Sequence, residues 1–171
     1  MADDNTLTFE PLCQYQPGIL ERLLTESYAA LDVGQNRRAA FQARWRQADR
    51  DSFDHLETIG RCVFVTCLNG RPIGFACFDP REAPERGLVG HNCIVPSCRG
   101  RGYGRRQLEE LLRRLCELDI RHASATTGEH PFFEPAQHMY LRCGFREARR
   151  YDRRAVSLFR VIEYEKDLTR S

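Results

Sequence analysis

The stretch Ile94-Val95-Pro96-Ser97-Cys98-Arg99-Gly100-Arg101-Gly102-Tyr103-Gly104 constrains the fold of this chain more than any other. The stretch ends an apolar run formed by Leu88, Val89, Cys93, Ile94 and Val95. Downstream, Leu108, Leu111, Leu112, Leu115 and Leu118 recur at three- and four-residue spacing, with Glu109, Glu110, Arg113, Arg114 and Glu117 between them. The pattern predicts a strand, a glycine turn and an amphipathic helix over about 103–119. A chain that turns through glycines into a helix N-terminus aims several N–H groups at one point, backed by the positive end of the helix dipole. Arg99, Arg101, Arg105 and Arg106 crowd the same end, where a cation opposes the dipole by roughly 0.3–1 kcal/mol. A local rule broken by several residues at once marks a functional site, and a bound phosphate would reverse the penalty.

Two familiar phosphate loops are excluded. A Walker loop needs Gly-x-x-x-x-Gly-Lys-Ser/Thr, and the only lysine here is Lys166. A dinucleotide fingerprint needs Gly-x-Gly-x-x-Gly, whereas Gly100, Gly102 and Gly104 alternate.

Around this unit the chain reads as one mixed α/β domain over 1–171. Residues 6–12 alternate as a strand. Helices are expected over 17–31, with Leu20, Leu23 and Leu24 as its stripe, and over 36–57, with Phe41, Trp45 and Phe53. Strands at 62–68 and 72–79 are joined by Asn69-Gly70, a strong hairpin signal because both positions tolerate positive φ. A loop rich in Pro, Glu and Gly over 80–87 leads to a strand at 88–95. After the helix come a strand at 121–127, an aromatic connection at 129–135, and a short helix at 135–143 closed by Gly144 as a left-handed cap. Two strands, at 145–151 and 155–166, complete the order β-α-α-β-β-β-α-β-α-β-β.

Composition narrows the function classes. A net charge of +2 opposes nonspecific nucleic-acid binding as the main task, although basic residues cluster at 99–106 and 149–154. The eight cysteines include no Cys-x-x-Cys pair and sit mostly in apolar patterns, as reduced, hydrophobic thiols do, which speaks against zinc or a disulfide framework. The acidic start Met-Ala-Asp-Asp-Asn and the absence of a long apolar run predict neither a secretory leader nor a membrane span, and hence a reducing cytoplasm.

Two motifs at a spacing of about 35 residues resemble the GNAT acetyltransferase superfamily. Arg99-x-x-Gly102-x-Gly104, after a strand ending Ile94-Val95-Pro96, is similar to the family's acetyl-CoA motif Arg/Gln-x-x-Gly-x-Gly/Ala. Ala136-x-x-Met139-Tyr140-x-x-x-Gly144-Phe145 is similar to its Ala-x-x-x-Tyr-x-x-x-Gly-Phe helix and strand. The resemblance implies a mixed, mostly antiparallel central sheet flanked by helices, and acetyl-CoA as cofactor. By carry-over, Ile94 and Val95 pair with the pantetheine arm, while Arg99, Gly100, Arg101, Gly102, Tyr103, Gly104 and Arg105 surround the diphosphate. One position departs: the family often has Asn three residues before the helix alanine, and Phe133 stands there, which puts the usual side-chain contact in question.

The same resemblance implies N-acetyl transfer to a primary amine of a small molecule or peptide, with Tyr140 near the thioester sulfur. A thiol titrates at about 8.5 and a tyrosine at about 10, so Tyr140 can stay protonated and give its proton to the departing sulfur. Alkyl amines arrive protonated, so a base is needed; His91, on the strand face shared by Cys93 and Val95, is the first candidate. Glu129, His130, Glu134 and His138 are alternatives, and a strand N–H near Ile94 is the expected oxyanion donor. A covalent route through Cys93 or Cys98 lacks an evident His/Asn partner. Phe132, Phe133 and Trp45 are candidates for an apolar acceptor pocket; Asp79, Glu82, Glu85, Glu129 and Glu134 are candidates for attracting a cation. Many family members pair as homodimers, but no interface is legible. Two other classes stand beside the enzyme: an acyl-CoA-binding sensor that performs no transfer, and an Arg/Gly-rich nucleic-acid module.

Overall fold

The computed structural model describes residues 6–153 and 158–169. Among these residues, seven strands and four α-helices follow the expected order: β1 (Leu7–Pro11), α1 (Ile19–Ser27), α2 (Gln35–Asp54), β2 (Val63–Leu68), β3 (Arg71–Glu82), β4 (Arg86–Ile94), α3 (Tyr103–Glu117), β5 (His122–Gly128), α4 (Glu134–Arg142), β6 (Arg146–Tyr151) and β7 (Val161–Asp167). The sheet order is β1-β2-β3-β4-β5-β7-β6. Pairing is antiparallel for β1/β2, β2/β3, β5/β7 and β6/β7, and parallel for β4/β5. This is the mixed, mostly antiparallel sheet with flanking helices that the family resemblance implies. No helix among the described residues is long and apolar enough to cross a membrane.

The chain divides into two compact units. One comprises the chain up to Cys77 with His91–Gln107; the other comprises Phe78–Gly90 with the chain from Leu108 onward. In the first unit, Leu20, Leu23 and Leu24 of α1 and Val65, Ile73 and Phe75 of the sheet share one buried cluster. Trp45 joins it and stacks on Phe41, with ring centroids 5.9 Å apart. In the second, Leu108, Leu111 and Leu115 of α3 are fully buried. Gly87 lets Leu115 approach β4, because a Cβ there would lie 2.7 Å from Leu115 Cδ2.

The hairpin turn forms as expected, with Asn69 at φ 52° and Gly70 at φ 76°. Several boundaries differ from the sequence pattern: α1 ends at Ser27 rather than 31 and α2 at Asp54 rather than 57, and three others differ as follows. The loop expected at 80–87 shrinks to 83–85, because β3 runs to Glu82 and β4 begins at Arg86; strand pairing overrides a polar composition. The last strand begins at Val161 rather than 155, since its partner ends at the pair Gly128↔Val161; Val156 lies outside the described residues. Leu118 is 37% exposed, past the end of α3, where Asp119 takes φ 56° and stops the helix.

The start of α1 is capped from a distance. Gly18 has no side chain to offer, and Asp49 of α2 accepts instead from the N–H groups of Gly18 (2.6 Å), Leu20 (2.8 Å) and Glu21 (3.3 Å). Asp49 is only 3% exposed. Charge-assisted bonds to orphan helix donors are the strong kind, so Asp49→Ala is expected to cost about 2–3 kcal/mol. Denaturant unfolding checks this; a loss below about 1 kcal/mol would show that water replaces the cap.

Candidate functional site

The glycine corner sits between β4 and α3. Beyond Ile94 the chain makes a single 3-10 turn, Pro96–Cys98, then passes through Gly100 at φ 74° and Gly102 at φ 81°. Both glycines face open space, with nothing within 4 Å of a would-be Cβ. The first helical bond of α3 runs from Arg106 N–H to Gly102 C=O at 3.1 Å. Gly102 is therefore the cap residue, and Tyr103, Gly104 and Arg105 are the first three helical residues, the positions whose i−4 carbonyl lies outside the helix. Gly104 is thus in the helix rather than in the turn. Arg101 and Arg105 are exposed beside these amides, whereas the Tyr103 ring is 6% exposed and packed in the core cluster. The corner is a short run of open backbone, ringed by cations and anchored by a buried aromatic.

Strand β4 supplies the adjoining groups. Its parallel ladder with β5 extends only from Arg86↔His122 to Val89↔Ala125, so residues 90–94 take no part in it. The side chains of Ile94 and Val95 are buried. Val95 N–H donates to Ile73 C=O at 2.8 Å, and Val95 C=O accepts from Cys98 N–H at 3.0 Å. The backbone edges of a strand alternate, so Ile94 N–H points to the edge opposite Ile73. An open cleft of about 340 Å³, lined in part by Arg22, Arg71, Val95 and Cys98, borders this segment but includes none of residues 100–105.

His91 lies on β4 in the same unit. Its N–H donates to Cys77 Sγ at 3.1 Å, and its ring centroid is 5.9 Å from that of Phe75. Desolvation holds its pKa below the usual 6.5, so the imidazole is neutral at pH 7. Cys93, two residues on, is 6% exposed, and burial pushes its thiol up to about 11. A thiol held protonated is a poor nucleophile, which speaks against a covalent acyl-cysteine at that position.

Gln107 carries no signal in the sequence, since it occupies one position on a leucine-striped helix. The structure buries it completely. Its Nε2 donates to the carbonyls of Phe75 (3.0 Å) and Cys93 (3.3 Å) and to Asn92 Oδ1 (2.5 Å). Gln107 Oε1 and Asn92 Nδ2 are buried with no hydrogen-bond partner among the described residues.

Tyr140 belongs to the second unit. It is 4% exposed on α4, with its ring centroid 5.4 Å from those of Phe145 and Tyr164. Gly144 at φ 83° turns the chain from α4 into β6. The structure thus gathers His91, Ile94, Val95, Arg99 and residues 100–105 in one unit and carries Tyr140 in the other. Of the alternative bases, Glu129 is bound by Arg150 at 2.5 Å, and His130 Nδ1 accepts from Phe132 N–H at 3.1 Å. Glu134 and His138 are exposed. Phe132 and Phe133 pack edge-to-face at 5.1 Å, and Phe133 also meets Phe159 at 5.9 Å. Trp45 is 7% exposed and belongs to the core cluster.

Residues 30–145 match the model of the acetyltransferase (GNAT) family. Among solved structures, a GNAT-family protein of Desulfovibrio desulfuricans superposes with a TM-score of 0.74 at 17% identity, over 95% of this chain and 99% of its own. The yncA protein of Salmonella typhimurium, solved with its cofactor acetyl-CoA, gives 0.68 at 14% identity over 98% and 96%. The ribosomal-protein-S18-alanine N-acetyltransferase of Escherichia coli gives 0.67 at 15% identity over 95% and 94%. At these identities the likeness is one of fold. No curated protein matches the chain.

Proposed function

The chain belongs to the acetyltransferase (GNAT) family, and from that premise we propose that it transfers the acetyl group of acetyl-CoA to a primary amine of a small molecule or peptide, by direct attack. The observation that carries this reading is the glycine corner. Gly100 and Gly102 hold positive φ with open space around them, and α3 begins immediately beyond. A diphosphate accepts hydrogen bonds from such amides and offsets the charge of Arg101 and Arg105. Acetyl-CoA would supply the activated acyl group, the thiol leaving group and that diphosphate.

The chain's own residues then divide the chemistry. Ile94 N–H is the donor for charge that develops on the acyl oxygen. His91 accepts the proton of the amine, a task its desolvated, neutral imidazole suits. Tyr140 gives a proton to the departing sulfur. The E. coli relative's name places its own acceptor at a protein alanine, which supports peptide amines beside small ones as the class to test here.

Calorimetry with coenzyme A, followed by thiol release from acetyl-CoA over a panel of amines, tests the reading. Heat of binding and amine-dependent release are expected. No heat with coenzyme A would sink it, and binding without release would identify a sensor instead. Salt-sensitive RNA binding without coenzyme A affinity would identify the nucleic-acid module.

The role of His91 has its own signature. An essential base must be deprotonated, so kcat/KM should fall as pH drops through its pKa, and that acid limb should lie below pH 6.5. His91→Ala should abolish the limb and most of the rate. A limb unchanged in the variant would assign the base elsewhere.

A further inference from the structure

Arg99 opens the glycine corner, but its guanidinium is engaged by main chain. Its Nε donates to Ile94 C=O at 2.9 Å, and its Nη2 donates to Ser27 C=O at 2.5 Å. Ser27 is the last residue of α1, so its carbonyl is among those a helix leaves without an internal donor. A cation there also meets the negative end of the helix dipole. Ile94 is the last residue of β4. The peptide that follows it is held on both sides, its oxygen by Arg99 and its N–H, that of Val95, by Ile73 C=O.

We propose that Arg99 is a positioning residue that joins the end of β4 to the C-terminus of α1, and serves acetyl transfer through main-chain geometry rather than by neutralising the diphosphate. The inference rests on the acetyl-CoA reading above. A corner built on two positive-φ glycines has wide conformational freedom, and that freedom must be removed from its flanks if the amides are to be aimed in advance. Arg99 fixes one flank through two carbonyls, and Tyr103, buried in the core cluster, fixes the other. The exposed Arg101 and Arg105 are left to supply charge. The same link ties the corner to the residues after α1, where Tyr28 packs on Trp45 with ring centroids 5.5 Å apart.

A thioester without a diphosphate separates the two roles. With S-acetylpantetheine and with acetyl-CoA, Arg99→Ala should lose kcat/KM by a similar factor, on the order of tenfold or more. Arg99→Gln keeps N–H donors without the charge and should recover most of that loss with both substrates. Hydrogen exchange without ligand should speed up in Arg99→Ala at both 28–31 and 100–104. A defect confined to acetyl-CoA, or no recovery in Arg99→Gln, would make Arg99 a phosphate ligand and overturn the proposal. If the wild-type protein turns over neither thioester, the functional reading fails instead. The exchange experiment then still decides the link, and faster exchange in only one segment, or in neither, overturns it.

Discussion

Tyr140→Phe is expected to lower kcat at least a hundredfold while leaving the stability of the fold nearly unchanged. General acids contribute roughly 10²–10⁴-fold, and this substitution removes the phenolic hydroxyl with its transferable proton while keeping the ring. The ring would remain between Phe145 and Tyr164, both at 5.4 Å, so the packing that buries Tyr140 is preserved. The acceptor KM should hardly move, because the proton is needed when the carbon–sulfur bond breaks rather than when the amine binds. Steady-state kinetics with a saturating thioester, paired with thermal unfolding, makes the test. Undiminished turnover would show that Tyr140 is a packed core tyrosine and no acid.

The largest loss of stability is expected from Gly74→Ala. A Cβ at Gly74 would stand 2.1 Å from Cys93 C=O oxygen and 2.8 Å from Ile94 Cδ1. The nearer obstacle is backbone, which cannot rotate aside as a side-chain tip can. Opposite Gly74, the register of β2 with β3 also shifts between Thr66 and Cys67, so the strand is already irregular there. One methyl group must therefore push β4 away from β3 at the residues that lead into the glycine corner. Overpacking of this kind costs about 3 kcal/mol, toward the upper end of its usual range. For a chain of this size that is roughly 6–12 °C in Tm. Coenzyme A affinity should fall with it, since Ile94 shares the displaced segment. Unfolding within about 1 kcal/mol of wild type would mean the strands part freely.

Gly74 and Gly100 illustrate which parts of the molecule were legible. Gly100 and Gly102 stand out in the sequence because they punctuate an apolar run and a leucine stripe, and the structure gives both the positive φ that such a turn needs. Asn69-Gly70 and Gly144 were legible for the same reason. Gly74 sits inside a strand pattern, and what it excludes is a carbonyl nineteen residues away. Gln107 and Asp49 were equally silent. One reads as an ordinary position on a helix and the other as surface charge, yet both are buried on main-chain groups of other elements.

The motif residues show the same division within the site. The sequence alone determined the element order, the hairpin and the glycine corner with its helix N-terminus; the family was legible there only through the resemblance of its two motifs. The first three depend on φ preferences and on periods of two and 3.6 residues, which neighbouring residues state by themselves. Tertiary structure decided where β3 stops and β7 starts, which carboxylate caps α1, that the Tyr103 ring is core, and that the Arg99 guanidinium meets two carbonyls. Those outcomes depend on distances between residues far apart in the chain, such as Ser27 and Arg99. Such distances come into being only when burial of the apolar faces draws the elements together.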